Sequence, residues 1–190
     1  MRKFVPAYEG NLRKHALSVP RCISECSGIR VFGRRIKSLV FSTDVAIIKN
    51  INADAIIAVY PFTPQPAITQ AIIGVSEVPG FCGVGGGLTN GVRSASMAAY
   101  VEHQGAYGVV CNSKIGVETI HAIKDAVEIP VVYTVISENT GIQPYLTAGG
   151  DIINGSGAAR RPENVGTPWP GNSGLAPLSY RRPPPGSIHS

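Results

Sequence analysis

The sequence predicts an α/β fold built from repeated strand–helix units, and three observations carry that prediction. Short apolar runs recur along the middle of the 190-residue chain: SLVFS (38–42), DAIIAVY (54–60), GFCGV (80–84), YGVVC (107–111), PVVYTVIS (130–137) and DIIN (151–154). Their starts, at residues 38, 54, 80, 107, 130 and 151, have the spacing of successive βα units. The runs are also continuous rather than alternating, which is how strands covered on both faces of a parallel sheet read.

The segments between the runs read as helices. Over Pro64–Ser76, the residues Ala67, Ile68, Ala71, Ile72 and Val75 form one stripe at three- to four-residue spacing, and Ile120, Ile123, Ala126 and Val127 do the same over Val117–Val127. Asp44 stands where a cap for the short helix Val45–Ile51 is wanted. Thr89 or Asn90 stands where the helix running through His103 should begin. A further helix is expected around Gly141–Gly149, against the preference of Pro144 and the neighbouring glycines. IRVFGRRI (29–36) is a candidate for one more strand.

Strand–helix alternation leaves an open doubly wound sheet or a (βα)8 barrel. A dinucleotide-binding open sheet wants G-x-G-x-x-G after its first strand. Here Gly83-Val84-Gly85-Gly86-Gly87-Leu88 puts Leu at the last glycine position and follows the third run, so the barrel is favoured. A complete barrel takes about 250 residues. Only six units are counted up to Asn154, and residues 161–190 hold seven of the chain's 15 prolines without any periodicity. The expected organisation is therefore a basic N-terminal segment (1–37) packed on the barrel, an incomplete (βα)8 TIM-barrel-like portion (38–158) and an irregular, disordered Pro-rich tail (159–190).

Charge follows this division. Residues 1–37 carry a net +7, residues 38–158 a net −5 and residues 159–190 a net +3, within a total of +5. A basic total with an acidic body is not the stripe of a nucleic-acid-binding face. No apolar stretch reaches the ~18 residues of a membrane helix. The N-terminus lacks the apolar region of a signal peptide. The four cysteines suggest no disulfide framework, so a reduced, cytoplasmic protein is expected, with no nucleic-acid or membrane partner. The basic segment around Arg30, Arg34, Arg35 and Lys37 reads as solvated surface or as the face of a subunit neighbour in a homo-oligomer.

FSTDVAIIKNINADAIIAVYPFTPQPAI, FCGVGGGLTNG, HQGAYGVVCNS, IPVVYTVISEN and AGGDIINGSGAARRPE together resemble a family of bacterial (βα)-barrel proteins whose members are often labelled hydrolase. The resemblance covers roughly residues 1–165. It implies a barrel closed by two further βα units, which the Pro-rich tail replaces here. A C-terminally truncated or frame-shifted family member is the resulting expectation.

In barrels the chemistry sits at the carboxyl ends of the strands. Gly85, Gly86 and Gly87 before a helix let backbone N–H groups approach an anion, and Ser156-Gly157 after the sixth run is a weaker candidate of the same kind. Tyr60 and Phe62 in YPFTPQP are candidates for pocket lining, and Asn112 and Asn154 stand at strand ends as candidate ligand contacts. Asp44 and Glu138 form a candidate pair of carboxylates for acid–base chemistry, the alternative for Asp44 being its helix cap. Cys82 is a candidate thiol nucleophile, the alternative being a small buried apolar residue. Cys22 and Cys26 have C-x3-C spacing without a second pair, so no metal site is expected. No cofactor is named by the sequence. The expected function is that of a hydrolase- or lyase-type barrel acting on a small anionic or phosphorylated metabolite. The alternatives are a non-catalytic, effector-binding regulatory barrel or a nonfunctional truncated product.

Overall fold

A computed structural model of the chain describes residues 6–7, 10, 16–137 and 141–155. A 3-10 turn over Arg21–Glu25 leads into β1 (Ile29–Val31) and β2 (Arg34–Ile36), followed by β3 (Leu39–Phe41), α1 (Val45–Asn50), β4 (Ala55–Ala58) and α2 (Pro66–Val75). The chain continues through β5 (Gly80–Gly85), α3 (Val92–His103), β6 (Gly108–Cys111), α4 (Val117–Ala126), β7 (Val131–Val135), α5 (Gln143–Thr147) and β8 (Ile152–Gly155). Strands β3 to β8 form one six-stranded parallel sheet in chain order. Sequential order without a reversal is the barrel's topology, since a doubly wound sheet must turn back at a switch point. The sheet is a curled, incomplete barrel whose β3 and β8 are unpaired on their outer edges among the described residues.

Alternation along each strand separates two apolar layers. Val40, Ile56, Cys82, Val84, Val109, Cys111, Val131, Tyr133 and Ile153 pack with Ile48, Ile72, Ala98, Val101, Ile120 and Ile123 from the helices. Leu39, Ala55, Ile57, Phe81, Val110, Val132 and Ile152 point to the opposite, concave side and pack with Val31 and Ile36 of β1 and β2. The two strand-like halves of residues 29–36 thus make a separate antiparallel hairpin in place of one barrel strand. Its two-residue turn uses φ of +46° at Phe32 and +77° at Gly33, and such positive angles match the twist of hairpin strands. The apolar side of the hairpin closes the concave face at the N-terminal ends of the strands.

Carboxylates pin that same end. Asp54, just before β4, accepts from Lys37 N (2.8 Å), Ser38 N (3.0 Å) and Ser38 Oγ (3.0 Å) through Oδ2. Asp151, just before β8, accepts from Val131 N (2.8 Å) and Lys124 Nζ (2.9 Å). Each ties the start of its strand to the start of the preceding one.

Two sequence expectations are corrected. The helix through His103 has Gly91 at its cap with no side-chain cap bond, and the Asn90 side chain instead donates back to Gly87 O in the preceding turn. In the expected 141–149 helix, Pro144 lies in the first turn of α5, where its missing N–H has no partner to lose. Gly149 follows the helix with φ +108°, so these residues bound a short helix rather than disrupt a long one.

Candidate functional site

The C-terminal ends of β4, β5 and β6 surround a hollow of about 80 Å³ lined by Val59, Tyr60, Phe62, Gly83, Gly85, Gly87, Leu88, Val110 and Asn112, among others. Val59, Gly83 and Asn112 lie two residues beyond Ile57, Phe81 and Val110 along their strands, so they continue the concave face above its apolar layer. The structure therefore brings together Tyr60, Phe62, Gly85, Gly87 and Asn112, residues the sequence had singled out on three separate units.

The turn after β5 shapes the hollow. The β5–β6 register shifts between Gly83 and Gly85, a bulge of the kind that re-aims chain at barrel rims. Gly86 has φ +105°, and a Cβ there would lie 2.8 Å from the Asn112 carbonyl oxygen, so only glycine fits. Gly86 N donates to Thr89 O (2.9 Å), Ser94 Oγ donates to the same carbonyl (3.0 Å), and Asn90 Nδ2 donates to Gly87 O (2.9 Å). The next two amides, Gly87 and Leu88, have no acceptor among the described residues. Consecutive free N–H groups at a glycine turn form a concavity suited to an anion.

Around that turn the rim is apolar. Phe62 is 74% exposed and Leu88 94% exposed. The Tyr60 hydroxyl oxygen accepts from Gln65 N (2.8 Å) and fixes the loop that leads into α2. Asn112 Oδ1 accepts from Ser113 N (2.7 Å), which leaves the Nδ2 donors of Asn112 for the hollow.

The other candidates stand apart from this mouth. Asp44 caps α1, its Oδ1 accepting from Ala46 N (2.8 Å) and Ile47 N (3.3 Å), and it is not among the lining residues. Cys82 and Cys111 point into the helix-facing layer, where burial pushes both thiols up to about 12. Neutral thiols on the far side of the sheet cannot attack a ligand on the concave face. His103 and His121 lie on helices, His121 paired with Asp125 at 3.0 Å. Asn154 is on the concave side of β8 and is not among the residues lining the hollow. Glu138, Ser156 and Gly157 lie outside the described residues, as does the 159–190 tail. Among the described residues no three His, Cys, Asp or Glu side chains converge as a metal site, and no helix is long and apolar enough to cross a membrane.

What sequence reasoning missed is Thr134. It sits in an apolar run, but its position two residues past Val132 puts it on the concave face beside Asn154.

Fold and mouth together define a (βα)-barrel-type α/β protein with its open site at the strand C-termini. No protein-family model and no curated protein matches the sequence. Solved structures share the fold at low identity. The chain is similar to a phosphonopyruvate hydrolase solved in complex with oxalate and Mg++ (TM-score 0.58, 16% identity), covering 74% of this chain and 66% of that one. It is similar to a putative phosphonomutase from Burkholderia cenocepacia J2315 (TM-score 0.53, 14% identity, 70% and 73% covered). A phosphoenolpyruvate phosphomutase from Streptomyces platensis subsp. rosaceus has a TM-score of 0.52 at 14% identity, with 72% and 62% covered. The chain spans about two thirds of the length of these enzymes, and 45% of a putative dihydrodipicolinate synthetase from Pseudomonas aeruginosa. The likeness establishes the fold.

Proposed function

We propose that the mouth at the ends of β4–β6 binds a small anionic or phosphorylated metabolite, as part of a hydrolase- or lyase-type barrel. The observation that carries this reading is the pair of unpartnered amides at Gly87 and Leu88, set beside the Asn112 side chain on the rim of one hollow. Backbone N–H groups hold a carboxylate or phosphate without a charged side chain, and cost no reorganisation when it arrives. The similar enzymes named above act, by their names, on phosphonates and phosphoenolpyruvate, and one was solved with a dicarboxylate. Among the described residues the mouth offers amides rather than the carboxylates that a magnesium ion wants. A small anion, rather than nucleic acid or a membrane, is the partner in this reading, and the cytoplasm its compartment.

One observation favours a second reading, an effector-binding barrel without catalysis. Among the described residues, no His, Cys, Asp, Glu or Lys side chain lines the hollow to serve as a general acid or base. Glu138 is the residue on which the catalytic reading depends, and Glu138→Gln separates the two. Loss of turnover with binding retained supports catalysis.

Calorimetric titration with inorganic phosphate and with oxalate tests the anion site itself. Saturable binding weakened about tenfold by Asn112→Ala, and lost in Gly86→Ala, is the expected result. Binding unchanged in both variants, or absent from the unaltered chain, overturns it.

A further inference from the structure

Asn154 is only 3% exposed, yet most of its hydrogen-bonding capacity is unused. Nδ2 reaches Thr134 Oγ1 at 3.3 Å. That is the one hydrogen bond of its side chain, so Oδ1 and the second N–H have no partner among the described residues. A buried amide left half-satisfied destabilises a fold, where a leucine of similar volume would have stabilised it. The strand itself wants no amide there: Ile152 on the same face is buried in the apolar layer, and Ile153 packs with the helices. The pairing of Thr134 with Asn154 in the β7–β8 register sets both at the level of Asn112, which extends β6 beyond Cys111, the partner of Tyr133. A row of polar side chains thus crosses three strands above the apolar floor, spanning about 10 Å between its ends.

We propose that Asn154 and Thr134 form a second polar subsite, which receives a hydroxyl or ammonium group of the ligand whose anionic end is held at the Gly87–Leu88 amides. The inference rests on the anion site proposed above and narrows its substrate class. A free amide oxygen calls for an N–H or O–H donor, and where that donor is a hydroxyl the Thr134 hydroxyl can in turn donate to its lone pair. The ligand class is therefore a small acid carrying a hydroxyl or amino substituent, rather than a simple dicarboxylate or bare phosphate.

Malate and succinate separate the two, since they differ by the one hydroxyl. The expected result for the unaltered chain is malate bound about tenfold tighter than succinate, the worth of one added hydrogen bond. In Asn154→Leu and in Thr134→Val, malate should weaken to the level of succinate, with succinate itself unchanged. A merely structural Asn154 predicts otherwise: Asn154→Leu would then lower the melting temperature, whereas an amide kept for a ligand predicts an unchanged or raised one. Equal binding of both acids by the unaltered chain, or a malate preference that survives both substitutions, overturns the subsite while leaving the anion site intact. Binding of neither acid overturns both.

Discussion

Along the concave face of the sheet, the layer at the strand N-termini and the layer at the strand C-termini differ in almost every physical respect. The lower one is apolar and shut: Ile57, Phe81, Val110 and Val132 are at most 2% exposed beneath the hairpin. Above them, two residues further along the strands, stand Val59 at 40% exposure, Gly83, Asn112 and Thr134. The same strands therefore use one turn of alternation to hold the fold together and the next to line the proposed ligand mouth. Side chains below are large and interlocked; those above are small, polar or left open. The packed layer and the proposed site are separated by two residues per strand, so substitutions should divide the same way.

The largest expected effect is in the lower layer. Phe81→Ala should cost about 3–5 kcal/mol in denaturant unfolding, because the site is enclosed and cannot collapse. Val59→Ala, on the same face but in the open layer, should cost less than about 1 kcal/mol. Equal costs would erase the distinction between the layers. Asp54→Ala comes next, at about 1–3 kcal/mol, since it orphans two backbone amides at the β3–β4 junction.

The helix-facing layer gives a pH signature that the concave face does not share. Cys82 and Cys111 have folded values of about 12 against 9.0 ordinarily, because burial disfavours the thiolate. The unfolded chain releases those protons first, so the folded state binds more protons between pH 9 and pH 12. Stability contributed by the thiols is thus complete below pH 9 and falls as the pH rises through that window, by about 1.4 kcal/mol per unit for each thiol. Melting curves from pH 8 to 11 should show the decline, and Cys82→Ala together with Cys111→Ala should flatten it. In the folded chain the exposed Cys22 and Cys26 should react with iodoacetamide at pH 8 while the buried pair does not. The smallest effect is expected at Leu88, where replacement by Ala should change stability by less than about 0.5 kcal/mol, as the side chain rests on nothing.

Much of the fold was legible because parallel strands buried on both faces leave continuous apolar runs, and all six runs became strands of the sheet. Their ends were read too long for the same reason. Val59 and Ile136 are apolar but lie past the last paired residue, on the open layer. The hairpin was hidden because Phe32 adopts φ +46°, an angle its residue type does not advertise. Thr89 and Asn90 looked like caps, yet the Thr89 carbonyl and the Asn90 side chain close the glycine turn that follows the bulge in β5. The glycine turn, Tyr60, Phe62 and Asn112 could be named from strand ends alone. Cys82 was expected near a strand end and instead lies inside β5, and a continuous run does not say which face a residue takes. Thr134 was overlooked for that reason as well.

The central claim is that the open upper layer, and not the basic hairpin, receives the anion. A titration with inorganic phosphate followed by amide chemical shifts tests it most directly. The account predicts saturable shifts at the backbone amides of Gly87 and Leu88 and at the Asn112 side chain, with the hairpin unmoved. Shifts confined to Arg30, Arg34 and Arg35, with the Gly87–Leu88 amides unmoved, would contradict it.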